Sequence, residues 1–362
     1  MSESILKTEE RVAYELRSLY RNYGYLPYKM SKFEEYDLYV ENKEFLVGDG
    51  VITFNDTDGK LLALKPDVTL SIIKNDGDEQ GKRKVYYNEN VYRLSAKTKQ
   101  FKEIMQVGLE CIGNIELYDV FETVYLAAKS LATVSEKFVL DISHLGILSA
   151  ILSELGLGEK FGKELMCKLA EKNLHETRML CDKYGVSEAD KEKLLALIGA
   201  YGTPSEVLRK LAPYCKGSAK SPFDMLSALC GLLEKTEYAD KIRLDFSVVN
   251  DMNYYNDVVF KGFIDGVGEG VLSGGRYDKL MSRMGKKSGA IGFAVYLDLL
   301  EGFGKEKRTA DVDVLVLYDD TEPLKLLDTV KALTAQGKTV RVQKSKDGLR
   351  YKEILDLTGG KQ

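Results

Sequence analysis

The sequence predicts an α+β fold in which helices flank an antiparallel sheet. A helical block is inserted into this domain, and a small α/β unit follows it. Three observations predict this arrangement. Short alternating segments separated by turn sequences occupy residues 45–113 and return over residues 242–278. Residues 147–239 instead have helical periodicity, and strand-like and helix-like segments alternate after residue 310.

The composition is that of a globular protein with more than one domain. The chain has 362 residues, of which 44% are hydrophobic and 30% charged. We therefore expect a core domain formed by residues 1–146 and 240–301, an inserted helical domain over residues 147–239, and a C-terminal unit over residues 310–362. A net charge of -4 gives no support to nucleic-acid binding as the main activity.

Cysteine and histidine usage excludes several kinds of chemistry. The five cysteines are odd in number and have no C-x-x-C spacing, which predicts reduced thiols rather than disulfides or a zinc site. We expect His144 and His175, the two histidines, to be structural, so that a mechanism based on a histidine base is not expected. The start MSESILKTEERV has no apolar signal segment, and no apolar run is long enough to span a membrane. We expect a cytoplasmic protein without a metal or cofactor.

The first half of the chain has readable helix and strand signals. A helix is predicted over residues 5–23, ending at Gly24, and another over residues 117–137, followed by a strand at residues 138–141. Between the two helices lies the antiparallel sheet. The segment LKPDVT is expected to be extended, with Asp67 and Thr69 on one face.

The second half begins with the helical block. Helix starts are marked by SEAD at Ser187 and by TPSE, in which Thr203 and Glu206 form a capping box. The sheet then resumes, and a helix is predicted over residues 290–300. After a polar linker at residues 302–310, the pattern predicts a strand, a helix over residues 323–336, a second strand and a final helix over residues 349–357. The C-terminal unit would then have a two-stranded parallel sheet.

The segment MQVGLECIG places a carboxylate inside an apolar strand. Its alternation puts Gln106, Gly108 and Glu110 on one face, where the glycine leaves room for a small pocket between two polar groups. A buried carboxylate is costly unless a hydrogen-bond donor or a cation accompanies it. Glu110 therefore either reads a ligand, or pairs with an internal arginine or lysine, or lies at a wet sheet edge.

Taken in order, several segments resemble the catalytic domain of histidyl-tRNA synthetase over residues 5–301. LKPDVTLSII resembles its R-P-E-x-T segment, and VYRLSAKTKQFKEIMQVGLECIG resembles its motif 2 hairpin, F-R-x-E returning through Q-x-G-x-E. NDMNYYNDVVF resembles the histidine loop R-G-L-D-Y-Y-x-x-T-V-F. LSGGRYDKL resembles G-G-R-Y-D-x-L, and GAIGFAVYLDLL resembles motif 3. The resemblance implies the class II aminoacyl-tRNA synthetase-like antiparallel sheet, with a truncated anticodon-binding-like unit at the C-terminal end.

The resemblance also implies a histidine-binding pocket. Glu110 matches the glutamate that reads the imidazole, and Tyr255 and Tyr277 match two tyrosines at the same ligand. The remaining implied pocket residues hold the α-amino end or belong to motif 2: Gln106, Asp67, Thr69 and Arg93. Asp67 stands where the family has glutamate.

The resemblance fails at several positions that take part in ATP binding and activation in the family. Ser95 replaces the glutamate of F-R-x-E, Asn250 replaces the arginine that opens the histidine loop, and Leu299 replaces the terminal arginine of motif 3. Asn253 replaces an aspartate, and Tyr296 replaces a glycine. Adenylate formation needs fixed cations where charge develops on the phosphates, and neutral residues cannot supply them. No catalytic residue is therefore expected.

A chain that has a histidine pocket but lacks the residues for adenylate formation resembles the regulatory subunits of ATP phosphoribosyltransferase. That resemblance implies a homodimer within a hetero-oligomer, a short-form catalytic subunit as partner, histidine as effector, and no tRNA binding. The alternatives are an active or degenerate histidyl-tRNA synthetase and a stand-alone module that binds histidine or tRNA.

Overall fold

A computed structural model describes residues 6–46, 50–75, 81–95, 98–249, 254–303 and 310–358. The chain folds as two compact units that divide after Phe303. No helix in the described part of the chain is long and apolar enough to cross a membrane. All five cysteines are free thiols, as predicted.

The helices fall into three groups: those packed around the sheet, those of the insertion, and one in the second unit. The first group is α1 (Thr8–Asn22), α2 (Asp37–Glu41), α3 (Val68–Lys74), α4 (Leu117–Val134) and α11 (Asp278–Arg283). The insertion contains α5 (Leu145–Leu155), α6 (Gly158–Ala170), α7 (Leu174–Lys183), α8 (Glu188–Ile198), α9 (Pro204–Leu211) and α10 (Lys220–Leu233). The second unit contains α12 (Pro323–Ala335).

Within the described residues the strands form three sheets. The main sheet contains β1 (Leu26–Pro27), β5 (Arg83–Leu94), β6 (Phe101–Gly113), β7 (Phe138–His144), β8 (Tyr201–Gly202), β9 (Ile242–Asp245), β10 (Val258–Ile264), β11 (Leu272–Arg276) and β12 (Gly289–Tyr296). A small sheet contains β2 (Phe33–Glu35), β3 (Thr53–Asn55) and β4 (Leu61–Leu64). The second unit has β13 (Val312–Leu317), β14 (Val340–Gln343) and β15 (Tyr351–Asp356).

The main sheet has the order β1-β5-β6-β12-β11-β10-β7-β9-β8. Its central pairs, from β5 across to β7, are antiparallel, while β1 with β5 and β7 with β9 are parallel. The predicted α+β fold with a central antiparallel sheet flanked by helices is confirmed.

The two faces of β6 enter different cores, as its alternation predicts. Val107, Leu109 and Cys111 pack into the larger cluster, which also contains residues of α1, α4 and the helical insertion. Ile112 packs on the opposite face with residues of α3 and α11. Glu110 and Gln106 point to this second face, where a pocket opens beside the smaller core.

The predicted helix starts of the insertion are confirmed. The Ser187 side chain accepts a hydrogen bond from the backbone N–H of Asp190 at the start of α8. At α9, Thr203 and Glu206 form the reciprocal capping box, and Pro204 occupies the first helical position. These local signals depend on neighbours within one turn, which is why the sequence alone identifies them.

Two predictions in the main unit are wrong. Residues 290–300 form strand β12 followed by a short 3₁₀ helix, because this apolar run is buried between β6 and β11 in the middle of the sheet. A strand covered on both faces has no alternation, so periodicity cannot distinguish it from a buried helix. LKPDVT is not extended throughout. Asp67 caps α3 by accepting a hydrogen bond from the N–H of Leu70 at 2.9 Å, and Thr69 lies in its first turn.

The predicted last helix of the second unit is also wrong. Residues 351–356 form β15, which pairs in parallel with β13 on the side opposite β14 and gives a three-stranded sheet. The spacing of Tyr351 and Leu355 fits a helical face, but pairing with the buried strand β13 outweighs that local preference.

Candidate functional site

A pocket of about 840 Å³ opens on the sheet face that carries Glu110. The structure brings all the predicted binding residues to its wall, from four helix or strand ends and one central strand. They are Glu110 and Gln106 from β6, Arg93 from β5, Asp67 and Thr69 at the start of α3, Tyr255 before β10, and Tyr277 at the cap of α11. Their role in binding histidine stays a prediction.

Small residues form the floor of this pocket. Gly292 on β12 lies opposite Glu110, and Ala294 lies opposite Gly108. On the next strand, Ser273 pairs with Ala294. A Cβ atom at Gly108 would lie 2.4 Å from the Tyr87 hydroxyl, so this glycine makes room for a tyrosine of β5. The space that Gly108 leaves is therefore occupied by the Tyr87 side chain and is not open to a ligand, unlike the prediction.

The Glu110 carboxylate is held by two donors. The Thr69 hydroxyl donates to Oε1 at 2.9 Å, and the Tyr277 hydroxyl donates to Oε2 at 2.5 Å. The side chain is 2% exposed, and no arginine or lysine pairs with it in the described residues. The internal ion pair and the wet sheet edge are therefore excluded as explanations. What remains is a carboxylate placed by neutral donors at the wall of a pocket.

Burial raises the pKa of Glu110 to about 8, and the hydrogen bonds from Tyr277 and Thr69 oppose this rise. Nearby Asp67 adds to it. A carboxyl group with a pKa in this range binds or releases a proton near neutrality. Glu110 can therefore accept a hydrogen bond from a ligand as a carboxylate, or donate one to a ligand as a neutral carboxyl group.

We expect the Glu110→Gln variant to become more stable relative to wild type as pH rises from 4.5 to 8. In this window the folded wild type holds a proton that the unfolded chain releases, so its free energy of unfolding falls with pH by up to about 4 kcal/mol. Glutamine does not titrate. Urea unfolding at several pH values measures the difference, with Glu103→Gln on the exposed part of β6 as control. Parallel pH profiles for Glu110→Gln and wild type would contradict the raised pKa.

Arg93 is tied to the start of α3. Its Nε donates to the Pro66 carbonyl at 2.7 Å, and its Nη2 lies 3.4 Å from Asp67 Oδ2. Burial raises the pKa of Asp67, and the guanidinium and the helix N–H groups counteract this rise. Asp67 is therefore an acidic group at the pocket wall whose charge Arg93 already offsets in part.

Three tyrosines form an aromatic wall beside Glu110. The ring of Tyr254 lies 4.7 Å from that of Tyr255 and 5.7 Å from that of Tyr277, measured between centroids. The Tyr255 ring also covers Gly275, where a Cβ atom would lie 2.7 Å from Cδ1. A planar ligand group that contacts Glu110 would be flanked by these rings.

Sequence reasoning missed several lining residues. Tyr254 lines the pocket beside Tyr255, because both precede the regular strand β10 and do not follow its alternation. Lys261 on β10 and Tyr87 on β5 had no visible signal, since their position depends on strand register. A register argument from Glu110 across the sheet is the one signal that could have found them.

His144 has a structural role, as expected, at the end of strand β7 and the start of α5. Its Nδ1 accepts a hydrogen bond from Gly146 N–H at the start of α5, so the neutral ring carries its proton on Nε2. Nε2 lies 2.8 Å from Asp257 Oδ1. Burial alone would raise the pKa of Asp257, but His144 and Arg276 hold it below its usual value. The other histidine, His175, lies in α7, outside the pocket.

Three of the positions that act on ATP in the family lie within the described residues here, and none of them carries a cation. The Ser95 hydroxyl accepts from the N–H of Thr98 and closes the β5–β6 hairpin. Leu299 packs against the larger hydrophobic core. Tyr296 lines the pocket. Asn250 and Asn253 lie outside the described residues.

Comparison with known proteins agrees with this geometry. The family model described as histidyl-tRNA synthetase matches residues 2–300, and the chain belongs to this family. Curated relatives carry the name ATP phosphoribosyltransferase regulatory subunit, in agreement with the prediction from sequence. One from Oceanobacillus iheyensis is 26% identical over 97% of this chain and 88% of its own length. One from Caldanaerobacter subterraneus is 27% identical over 94% of this chain and 93% of its own.

Solved structures share the fold. A protein described as an ATP phosphoribosyltransferase regulatory subunit/histidyl-tRNA synthetase from Bacillus halodurans has a TM-score of 0.78 at 23% identity, covering 98% of this chain and 95% of its own. A chain of the ATP phosphoribosyl transferase (HisG:HisZ) complex from Thermotoga maritima has a TM-score of 0.64 at 18% identity, covering 79% of this chain and 96% of its own. Histidyl-tRNA synthetase from a Nostoc species has a TM-score of 0.69 at 18% identity, covering 94% and 83%.

Proposed function

We propose that this chain is the non-catalytic regulatory subunit of ATP phosphoribosyltransferase, the glycosyltransferase of the first step of histidine biosynthesis. We propose further that it binds histidine as the feedback effector. The observation that carries this proposal is Glu110, a buried carboxylate held by Thr69 and Tyr277 at the wall of an open pocket.

The pocket suits each part of a histidine molecule. An imidazole N–H would donate to Glu110, and the ring would pack against Tyr255 and Tyr277. The α-ammonium group would contact Asp67, with the side-chain oxygens of Thr69 and Gln106 close by. A carboxylate can accept further hydrogen bonds beyond those from Thr69 and Tyr277, so a ligand with an N–H at this place would be favoured over one without it.

The same pocket is poorly equipped for aminoacylation. Stabilising the charge that develops during adenylate formation requires cations that are free to contact phosphate. Arg93 is engaged with Pro66 and Asp67, and the partly buried Leu299 packs against the core. Tyr296 fills space on the sheet face where the family has glycine. These features favour regulation over an active or degenerate histidyl-tRNA synthetase.

We propose that the partner is the short-form catalytic subunit, and that this chain forms a homodimer within a cytoplasmic hetero-oligomer that does not bind tRNA. Histidine would act by binding one quaternary state of the complex more tightly than another. A ligand shifts such an equilibrium only by its difference in affinity for the two states. The curated relatives and the solved complex support this partner through their names.

Reconstitution tests the proposal. Adding the purified chain to the short catalytic subunit is expected to raise phosphoribosyl transfer at least tenfold, and histidine is expected to reverse the increase. The same chain incubated with ATP, histidine and tRNA is expected to form no histidyl-tRNA. Clear aminoacylation, or no effect of the chain on the catalytic subunit, would contradict the proposal.

A further inference from the structure

Two cationic side chains line the pocket within the described residues, Arg93 and Lys261. Arg93 is already engaged with the Pro66 carbonyl and with Asp67. The Lys261 ammonium has a different surrounding. It lies 5.6 Å from the centre of the Phe263 ring, and no carboxylate of the described chain is within ion-pair distance of it. Lys261 is therefore the cation of this pocket that remains available to an anion.

The sheet register places Lys261 and Glu110 at opposite sides of the floor. Lys261 pairs with Ser273, Ser273 with Ala294, and Ala294 with Gly108, which is two residues from Glu110 on β6. Three strand spacings span roughly 14 Å. A glutamate side chain, one α-amino acid and a lysine side chain can together bridge such a span. Ser273 and Ala294 in this row are small, and the Tyr87 ring lies over Gly108 at its β6 end.

Gly270 provides the space for the lysine stem. A Cβ atom at this position would lie 2.3 Å from Lys261 Cε and 2.9 Å from its Cγ. The glycine backbone is buried, so the stem lies directly over it. The far end of a flexible side chain would give way to an added methyl group. Gly270→Ala should therefore move the ammonium group without disrupting the sheet.

An α-amino acid that binds as a zwitterion needs an acidic partner for its ammonium group and a cation for its carboxylate. Asp67 supplies the first. We propose that Lys261 supplies the second, binding the carboxylate of the same amino acid whose side chain contacts Glu110. This inference rests on the proposed histidine pocket. A single compact ammonium with no second free cation among the described lining residues suits a carboxylate better than a phosphate group, which several donors usually hold.

Calorimetry with histidine and with histamine, which lacks the carboxylate, tests the inference. Wild type is expected to prefer histidine by tenfold or more, and Lys261→Met is expected to reduce this preference to within about twofold by weakening histidine alone. Gly270→Ala should reduce it in the same direction. Lys137→Met, a solvent-exposed lysine outside the pocket, is the matched control and should keep the preference.

Each other result has a defined meaning. An unchanged preference in Lys261→Met, or an equal loss of both ligands, overturns the role of Lys261 while leaving the histidine pocket intact. Binding of inorganic phosphate that depends on Lys261, with the histidine preference unchanged, shows that the anion comes from another ligand and also overturns it. Failure of wild type to bind either imidazole compound contradicts the proposed pocket itself and this inference with it.

Discussion

Replacing Glu110 with alanine is expected to lower the affinity for histidine at least a hundredfold. The variant removes the acceptor for the imidazole N–H and leaves the hydroxyls of Thr69 and Tyr277 without their partner in a buried wall. Losing a charged hydrogen bond costs about 1.5–3 kcal/mol, and unpaired buried donors add to that loss. Isothermal titration calorimetry measures the change directly.

Glu103→Ala is the control for this variant. Glu103 lies on the same strand β6 but is exposed, and its contacts are with Asn90 and Tyr92 outside the pocket. We expect it to bind histidine like wild type. Wild-type affinity in Glu110→Ala would show that the histidine site lies elsewhere, for example at the interface with the catalytic subunit.

Adding one methyl group at Gly292 is expected to cost about 2–3 kcal/mol of folding free energy and to abolish histidine binding. A Cβ atom there would lie 1.7 Å from Glu110 Oε2 and 2.4 Å from the Leu109 carbonyl oxygen. Both atoms belong to the paired central strand β6, so neither the carboxylate nor the backbone can move without breaking sheet contacts. Urea unfolding gives the stability change and calorimetry the binding.

Gly231→Ala serves as the matched substitution. This glycine lies inside α10, where an added Cβ meets no atom within 4 Å. Alanine there should stabilise the protein by roughly 0.5–1 kcal/mol, since it lowers the entropy of the unfolded chain. A Gly292→Ala variant as stable as wild type, with histidine binding intact, would contradict the position assigned to Glu110.

Much of the candidate site could be predicted because its residues lie in local patterns. Glu110 and Gln106 follow from alternation on one strand. Segments that resemble a known family indicate five more pocket residues: Tyr255, Tyr277, Asp67, Thr69 and Arg93. The N-cap at Ser187 and the capping box at Thr203 are equally local. The structure adds the donors to Glu110, which come from residues far apart in sequence.

Other features could not be predicted because they depend on long-range pairing. The strand β12 has the composition of a buried helix, and only its pairing with β6 and β11 determines that it is extended. In the same way, pairing with β13 determines that residues 351–356 form strand β15 and not a helix. Lys261 belongs to the pocket through the register of four strands, and no short segment of sequence contains that information.

We propose that histidine regulates the complex through the pocket built around Glu110. The most direct measurement is histidine inhibition of phosphoribosyl transfer in complexes reconstituted with wild type or Glu110→Ala, using Glu103→Ala as control. We expect that Glu110→Ala still activates the catalytic subunit but needs at least a hundredfold more histidine for half-inhibition. An inhibition curve that is the same for Glu110→Ala and wild type would contradict it.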